Sequence, residues 1–180
     1  MQGQVPQVNQ ANLADGEQGN LDTIQAMKEA ANIRVGDPLV RELATQILLY
    51  YRVPSMDYVG EAIAIGKYVQ SKVRYVRDPD GIEYLQDPVL MIEKIQKGRA
   101  SGDCDDMALL IATLLKSVGH EPYFRAVRYR DIVGNFNHIY VVDYPKNPGQ
   151  PQMRVALDAI MKDKPMGYEV QAASGQEFEV

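Results

Sequence analysis

Apolar residues recur at helical spacing through the first two thirds of the chain. Leu21, Ile24, Met27 and Ala31 share one face, and Val40, Leu43, Ala44 and Ile47 share the face of the next segment. That second helix has a clear start, because Asp37 is a good N-cap and Pro38 suits the first helical position; it ends near Tyr51, before Pro54. A third helix, capped by Ser55, carries Tyr58, Ala62, Ile65 and Val69 on one face to about Lys72. Asp87-Pro88 opens a fourth, closed by Gly98. The sharpest period belongs to Met107, Leu110, Ile111, Leu114, Leu115 and Val118, spaced i, i+3, i+4, i+7, i+8 and i+11. Gly119 follows where a helix end favours a left-handed residue.

Beyond Gly119 the period changes to two. Tyr123–Tyr129 has strand character, residues 131–135 are turn-like, and residues 136–144 alternate again. Phe136, His138, Tyr140 and Val142 point one way there, Ile139 and Val141 the other. The loop PKNPGQPQ leads to a short strand over 153–157 that ends at Asp158. Helices first and strands later predict an α+β fold, with an antiparallel sheet packed on the helix that begins at Cys104. Residues 1–20, rich in Gln, Asn and Gly, read as a flexible or docking arm and residues 21–170 as a single domain; the remainder, with Pro165, Gly167 and Gly175, reads as a closing turn or strand and a polar tail over 171–180. The segment VRYVRDPDG is extended and breaks at Pro79-Asp80-Gly81. Asp78 and Asp80 hint at a calcium loop, but the third acid and terminal Glu of an EF-hand are missing, so a turn is expected.

The composition narrows the function. A chain of 180 residues, 46% hydrophobic and 24% charged, suits one soluble domain with a substantial core. The net charge of −5 and the scattered basic residues argue against a nucleic-acid surface. A single cysteine excludes an internal disulfide framework and a CxxC zinc site. No secretory signal and no stretch of membrane-spanning length is visible, so the expected location is the cytoplasm, with no membrane partner.

The lone thiol sits in ASGDCDDMALLIATLL, three residues before Met107, so it begins the inward face of the strongest helix. Free cysteine is by default a small buried hydrophobe. A helix N-terminus, however, carries unsatisfied N–H groups and positive dipole, and thiols there have lowered pKa values. Asp105 and Asp106 oppose a thiolate, although both also suit a first helical turn. Of the two histidines, His120 follows Gly119 in a connection expected at the surface, while His138 lies within a strand. Asp158 ends the neighbouring strand in VALDAI. Cys at a helix start, His on one strand and Asp on the next make a nucleophile, a base and an orienting carboxylate. The backbone N–H of Cys104 is one oxyanion donor; Gln86, in EYLQDP, is the candidate second donor and is otherwise an ordinary loop amide.

Taken together, GDCDDMALLIATLLKSVGHEPYFRAV, NHIYVV and VALDA resemble the core of the transglutaminase-like superfamily of cysteine peptidases and acyltransferases. The approach EYLQDPVLMIEKIQKGRASGDCDD is similar to that of short bacterial and phage members, and the resemblance spans about residues 58–158. It implies a papain/transglutaminase-like core, with Cys104 as nucleophile, His138 as general base and acid, and Asp158 as orienting residue. The activity it implies is peptide or amide hydrolysis through a thioester acyl-enzyme, on a peptide or protein substrate and without a cofactor. Asp103, Asp105 and Asp106 resemble an acidic cluster that binds calcium in some bacterial relatives, with capping as the competing role. The chain departs from the family in having no tryptophan, which members often carry around the cleft. It has no room for the extra domains of calcium-dependent animal transglutaminases, so cross-linking is not implied. The alternative is a non-catalytic phage or bacterial structural or assembly protein that keeps the fold and meets its partner through the N-terminal arm.

Overall fold

The computed structural model describes residues 8–11, 17–79, 83–129, 136–169 and 171–180. In chain order these form β1 (Val8–Ala11), α1 (Glu17–Arg34), α2 (Pro38–Tyr50), α3 (Tyr58–Lys72), β2 (Arg74–Tyr75), β3 (Glu83–Gln86), α4 (Pro88–Gln96), β4 (Ser101–Gly102), α5 (Cys104–Ser117), β5 (Tyr123–Tyr129), β6 (His138–Asp143), β7 (Val155–Leu157) and β8 (Ala172–Glu179). Helices precede the main strands, and the fold is α+β. None of the described helices is long and apolar enough to cross a membrane.

The helix starts follow local chemistry. Asp37 and Asp87 each accept the backbone N–H two residues on, from Leu39 at 2.9 Å and Val89 at 2.8 Å, with proline at the first helical position in both. The third helix is capped by Asp57, not Ser55: the Asp57 carboxylate accepts from Gly60 N at 3.0 Å and from Asn147 Nδ2 at 2.8 Å. Asn147 in turn takes the N–H of Val59, so a distant loop completes this cap, a contact no local pattern could reveal. Helix α5 ends through Gly119, whose φ of 96° needs a residue without a Cβ.

Packing converges on α5. The expected single apolar face is present, but Ala108, Leu109, Ala112 and Thr113 are buried as well, because α1, α2, α3, α4 and β6 all pack against the helix. A helix that is apolar all round belongs in the interior, and Thr113 fits there by returning its hydroxyl to Leu109 O at 2.7 Å.

The four-stranded antiparallel sheet has the order β7-β6-β5-β8. Ile139 and Val141 of β6 join Phe124 and Ala126 of β5 in the core cluster with α5, while Tyr140, Val142 and Val127 form a separate cluster with Ala156. Phe136, expected on the Tyr140 side, packs instead against the α5 core; it lies before β6 begins, outside the strand's alternation. Two further pairings frame the approach to α5: β1 with β3, antiparallel, and β2 with β4, parallel, with Tyr75 opposite Gly102.

Both end segments carry strand structure. Residues 171–180, read as a tail, supply β8, which pairs with β5 from Tyr129↔Ala172 to Tyr123↔Glu179. Polar strand residues at a solvated edge carry little hydrophobic signal, so the alternation alone does not separate a closing strand from a tail there. Within residues 1–20, read as a flexible or docking arm, Val8–Ala11 pair with β3, and α1 begins at Glu17. The turn expected at 131–135 and the residues Asp80 and Gly81 lie outside the described residues.

Candidate active site

Cys104 is the first residue of α5, half-buried, packed against the core and facing a cleft of about 220 Å³. His138, Tyr75, Arg77, Asp105 and Asn137 line the same cleft, and Asn20 and Thr23 of α1 form part of its wall. Asn20 also donates to Phe136 O at 3.0 Å, tying α1 to the segment that enters β6.

His138 is buried at the start of β6, and its Nε2 stands 2.7 Å from Asp158 Oδ2. With Nε2 donating to the carboxylate, Nδ1 is the nitrogen left to exchange a proton. Asp158 directly follows β7, and its other oxygen accepts Ile160 N at 3.2 Å, which holds the carboxylate in place. The register pairs Val141 with Leu157, so Asp158 falls opposite Tyr140 and diagonal to His138. Two rings lie near-parallel to the imidazole, Tyr129 and Tyr140, each with its centroid 5.6 Å away. Although α5 packs on the Ile139 and Val141 side, opposite the face that carries Tyr140, Cys104 and His138 line one cleft at the end of the sheet, where the helix and β6 both begin.

The three acids around Cys104 take different positions. Asp103 is the N-cap, accepting from Asp106 N at 3.5 Å, and Asp105 Oδ1 accepts the same N–H at 2.8 Å. Asp106 points away from the cleft, where its two oxygens accept Gln86 N at 2.7 Å and Gln86 Nε2 at 2.5 Å. Burial, reinforced by the charges of Asp103 and Asp78, pushes the Asp106 carboxyl up to about 7 against the opposing Gln86 bonds. That lessens the negative charge behind the thiol near neutrality. The glycine of GDC is required here: a Cβ on Gly102 would lie 2.5 Å from Asp106 Oδ2 and 2.7 Å from its Cβ.

Gln86 has a structural task. Its amide nitrogen donates to Ser101 O at 2.9 Å as well as to Asp106, and Lys94 Nζ donates to its carbonyl oxygen. Both amide hydrogens are engaged, and Gln86 is not among the described residues lining the cleft. The carboxylates of Asp103, Asp105 and Asp106 come within 4.8 Å of one another. This donor set does not suit calcium, which takes six to eight oxygens, because both Asp106 oxygens already receive N–H groups and Asp103 closes the helix start.

Strand alternation places Tyr140 on the face of His138, but no local pattern marks Tyr75 or Tyr129 as neighbours of the thiol and the imidazole. Tyr75 and Arg77 stand on the same side of the extended VRYVRD segment, and only the parallel β2–β4 pairing brings them to the cleft. Burial, then the neighbouring Cys104 and Asp103 charges, raise the Tyr75 pKa, so its hydroxyl keeps its proton. Tyr129 behaves alike, raised by burial and then by Asp158 and Cys104. His120, expected at the surface, is half-buried with its side chain enclosed, Nδ1 2.5 Å from Asp143 Oδ2 and Nε2 3.1 Å from Glu61 Oε2. It lies beyond the other end of α5 from the cleft.

Against known protein families and curated proteins the chain has no match. Among solved structures it is similar to a "putative cysteine protease" from Cytophaga hutchinsonii, at 16% identity and a TM-score of 0.44, over 77% of this chain and 46% of that one. It is also similar to a "putative protease" from Parabacteroides distasonis, at 11% identity and a TM-score of 0.48, over 86% of this chain and 31% of that one. The chain thus spans less than half the length of either structure, and at these scores neither neighbour bears on what the site does.

Proposed function

We propose that this protein is a cysteine hydrolase of peptidase or amidase type, belonging to the transglutaminase-like superfamily and working through a thioester acyl-enzyme. One observation carries the reading: the buried His138–Asp158 pair reserves Nδ1 for a cleft that also receives Cys104 at the start of α5.

In this scheme His138 Nδ1 takes the thiol proton, and Asp158 stabilises the imidazolium that results. The thiolate, favoured by the N-terminal dipole of α5, attacks the amide carbon of a peptide or protein substrate. A C–S bond forms and the carbonyl π pair moves to oxygen. The backbone N–H of Cys104 faces that oxyanion, and the Tyr75 hydroxyl, still protonated beside the thiol, replaces Gln86 as the second donor. Collapse breaks the C–N bond, and His138 returns its proton to the departing amine. Water, deprotonated by the same imidazole, then attacks the thioester; the C–S bond breaks, releasing the acid and restoring the thiol.

The test is labelling with a cysteine-reactive acyl probe near neutral pH. Wild type should label rapidly at Cys104, His138→Ala slowly, and Cys104→Ala not at all while retaining its fold. Equal labelling of wild type and His138→Ala would remove the base from the scheme. Wild-type labelling no faster than free cysteine would favour a non-catalytic assembly role for the same fold.

A further inference from the structure

The face of the sheet turned away from α5 carries a lattice of ion pairs and hydrogen bonds outside the scheme above. Arg125 on β5 donates from Nε to Tyr140 Oη at 3.0 Å and lies 3.2 Å from Glu169 Oε1; its Nη1 donates to Glu177 Oε1 at 3.2 Å. Arg154, just ahead of β7, reaches Glu169 through both terminal nitrogens and Glu177 at 3.0 Å. Tyr144 Oη donates to Glu177 at 2.7 Å, and Tyr140 Oη donates to Glu169. The registers place Tyr140 and Glu177 on either side of Arg125, so the lattice runs across the sheet. A Cβ on Gly175 would come within 3.0 Å of Arg125 Nη2, so glycine there leaves room for the guanidinium.

We propose that this lattice is a positioning device for His138, acting through the ring of Tyr140. The proposal rests on the reading of Cys104 and His138 as nucleophile and base. A single hydrogen bond from Nε2 to Asp158 fixes one point of the imidazole and leaves the ring free to pivot about it. The flanking tyrosine rings restrict that pivot, which sets where Nδ1 points. The two tyrosines are held differently. The Tyr129 hydroxyl is buried with no hydrogen-bond partner among the described residues, which hold that ring by packing. Tyr140 is gripped at its hydroxyl by Arg125 and Glu169, each tied to further charges of opposite sign. Tyr140 is therefore the positioning residue, and β8, through Glu177, is part of its support.

The experiment measures iodoacetamide alkylation of Cys104 across about pH 5 to 9 for the full chain and for His138→Ala, Tyr140→Phe, Glu169→Gln and Glu177→Gln. Thermal melts accompany each, and nitrogen-15 NMR follows the His138 ring. Tyr140→Phe keeps the ring and releases its anchor. It should shift the alkylation profile, slow the neutral-pH rate roughly three- to tenfold, the size of one lost hydrogen bond, and move the His138 ring resonances. Glu177→Gln, which loosens both arginines without touching Tyr140, should act in the same direction and keeps the test available if Tyr140→Phe folds poorly. Profiles and His138 resonances that superimpose on wild type in folded variants overturn the proposal. Equal alkylation of wild type and His138→Ala would overturn the nucleophile–base reading instead; the NMR comparison, which does not involve the thiol, would still decide whether the lattice holds the ring.

Discussion

Tyr75 lies across a parallel pairing from Gly102, two residues before the thiol; it lines the cleft, and its hydroxyl keeps its proton. An oxyanion exists only after the thiolate has attacked, so a donor to it acts on turnover more than on binding. Tyr75→Phe should lower kcat on an activated aryl ester by about a hundredfold with little change in KM, and leave the alkylation rate of Cys104 close to wild type. Equal turnover in the variant would take Tyr75 out of the oxyanion site. Cys104, His138 and Asp158 could be singled out from residue type and order, because each sits at the start of a helix, within an alternating strand or at a strand end. Tyr75 could not: it belongs to a two-residue strand whose partner lies 27 positions away, and no local pattern encodes that pairing.

At the scale of the element, α5 separates two polar sites by its own length, roughly 20 Å for fourteen residues. Its first turn carries the thiol. Beyond its last turn, His120 joins α3 through Glu61 to the end of β6 through Asp143, with Tyr58 edge-on to the imidazole. Glu121, Lys146, Tyr123 and Tyr144 line the adjoining cavity. Burial alone would lower the His120 pKa, but the hydrogen bonds and charges of Asp143 and then Glu61 outweigh it and hold the imidazole above its ordinary value. The folded protein therefore binds this proton more tightly than the unfolded chain does. The stabilisation is full below the unfolded histidine pKa, about 6.5, and fades as pH rises through the raised folded value. Melting temperatures should fall between about pH 6 and pH 9, and His120→Asn should remove that part of the slope. The same slope in wild type and variant would show that His120 does not link these elements. The two ends of α5 differ in legibility for a physical reason: Asp103 and Cys104 act within their own turn, whereas His120 depends on carboxylates 59 and 23 positions away.

At the scale of the whole molecule, the four-stranded sheet closes with the last residues of the chain. Val180 N donates to Pro122 O at 3.2 Å, and Lys116 at the end of α5 donates to Val180 O. β8 covers the outer edge of β5 and carries Glu177 into the lattice behind His138. Removing residues 171–180 should expose an unpaired strand edge. Melting should then come at lower temperature and the protein should self-associate, as measured by light scattering, whereas a disordered tail could be removed without either effect. A truncated protein that melts with wild type and stays monodisperse would deny β8 its structural role.

Period and caps in the amino-acid sequence were enough to locate α2, α4, α5, β5 and β6 and to class the fold as α+β, because helix capping and side-chain alternation act over a few residues. They also picked out Cys104, His138 and Asp158 as chemically notable. The packing of α1 against the cleft, the spending of Gln86 on Asp106, the enclosure of the His120 side chain and the pairing of residues 172–179 with β5 came from the folded arrangement alone. Each depends on which donor or acceptor lies nearest once distant segments meet, and a polar side chain looks the same in sequence whether it will face water or a buried partner.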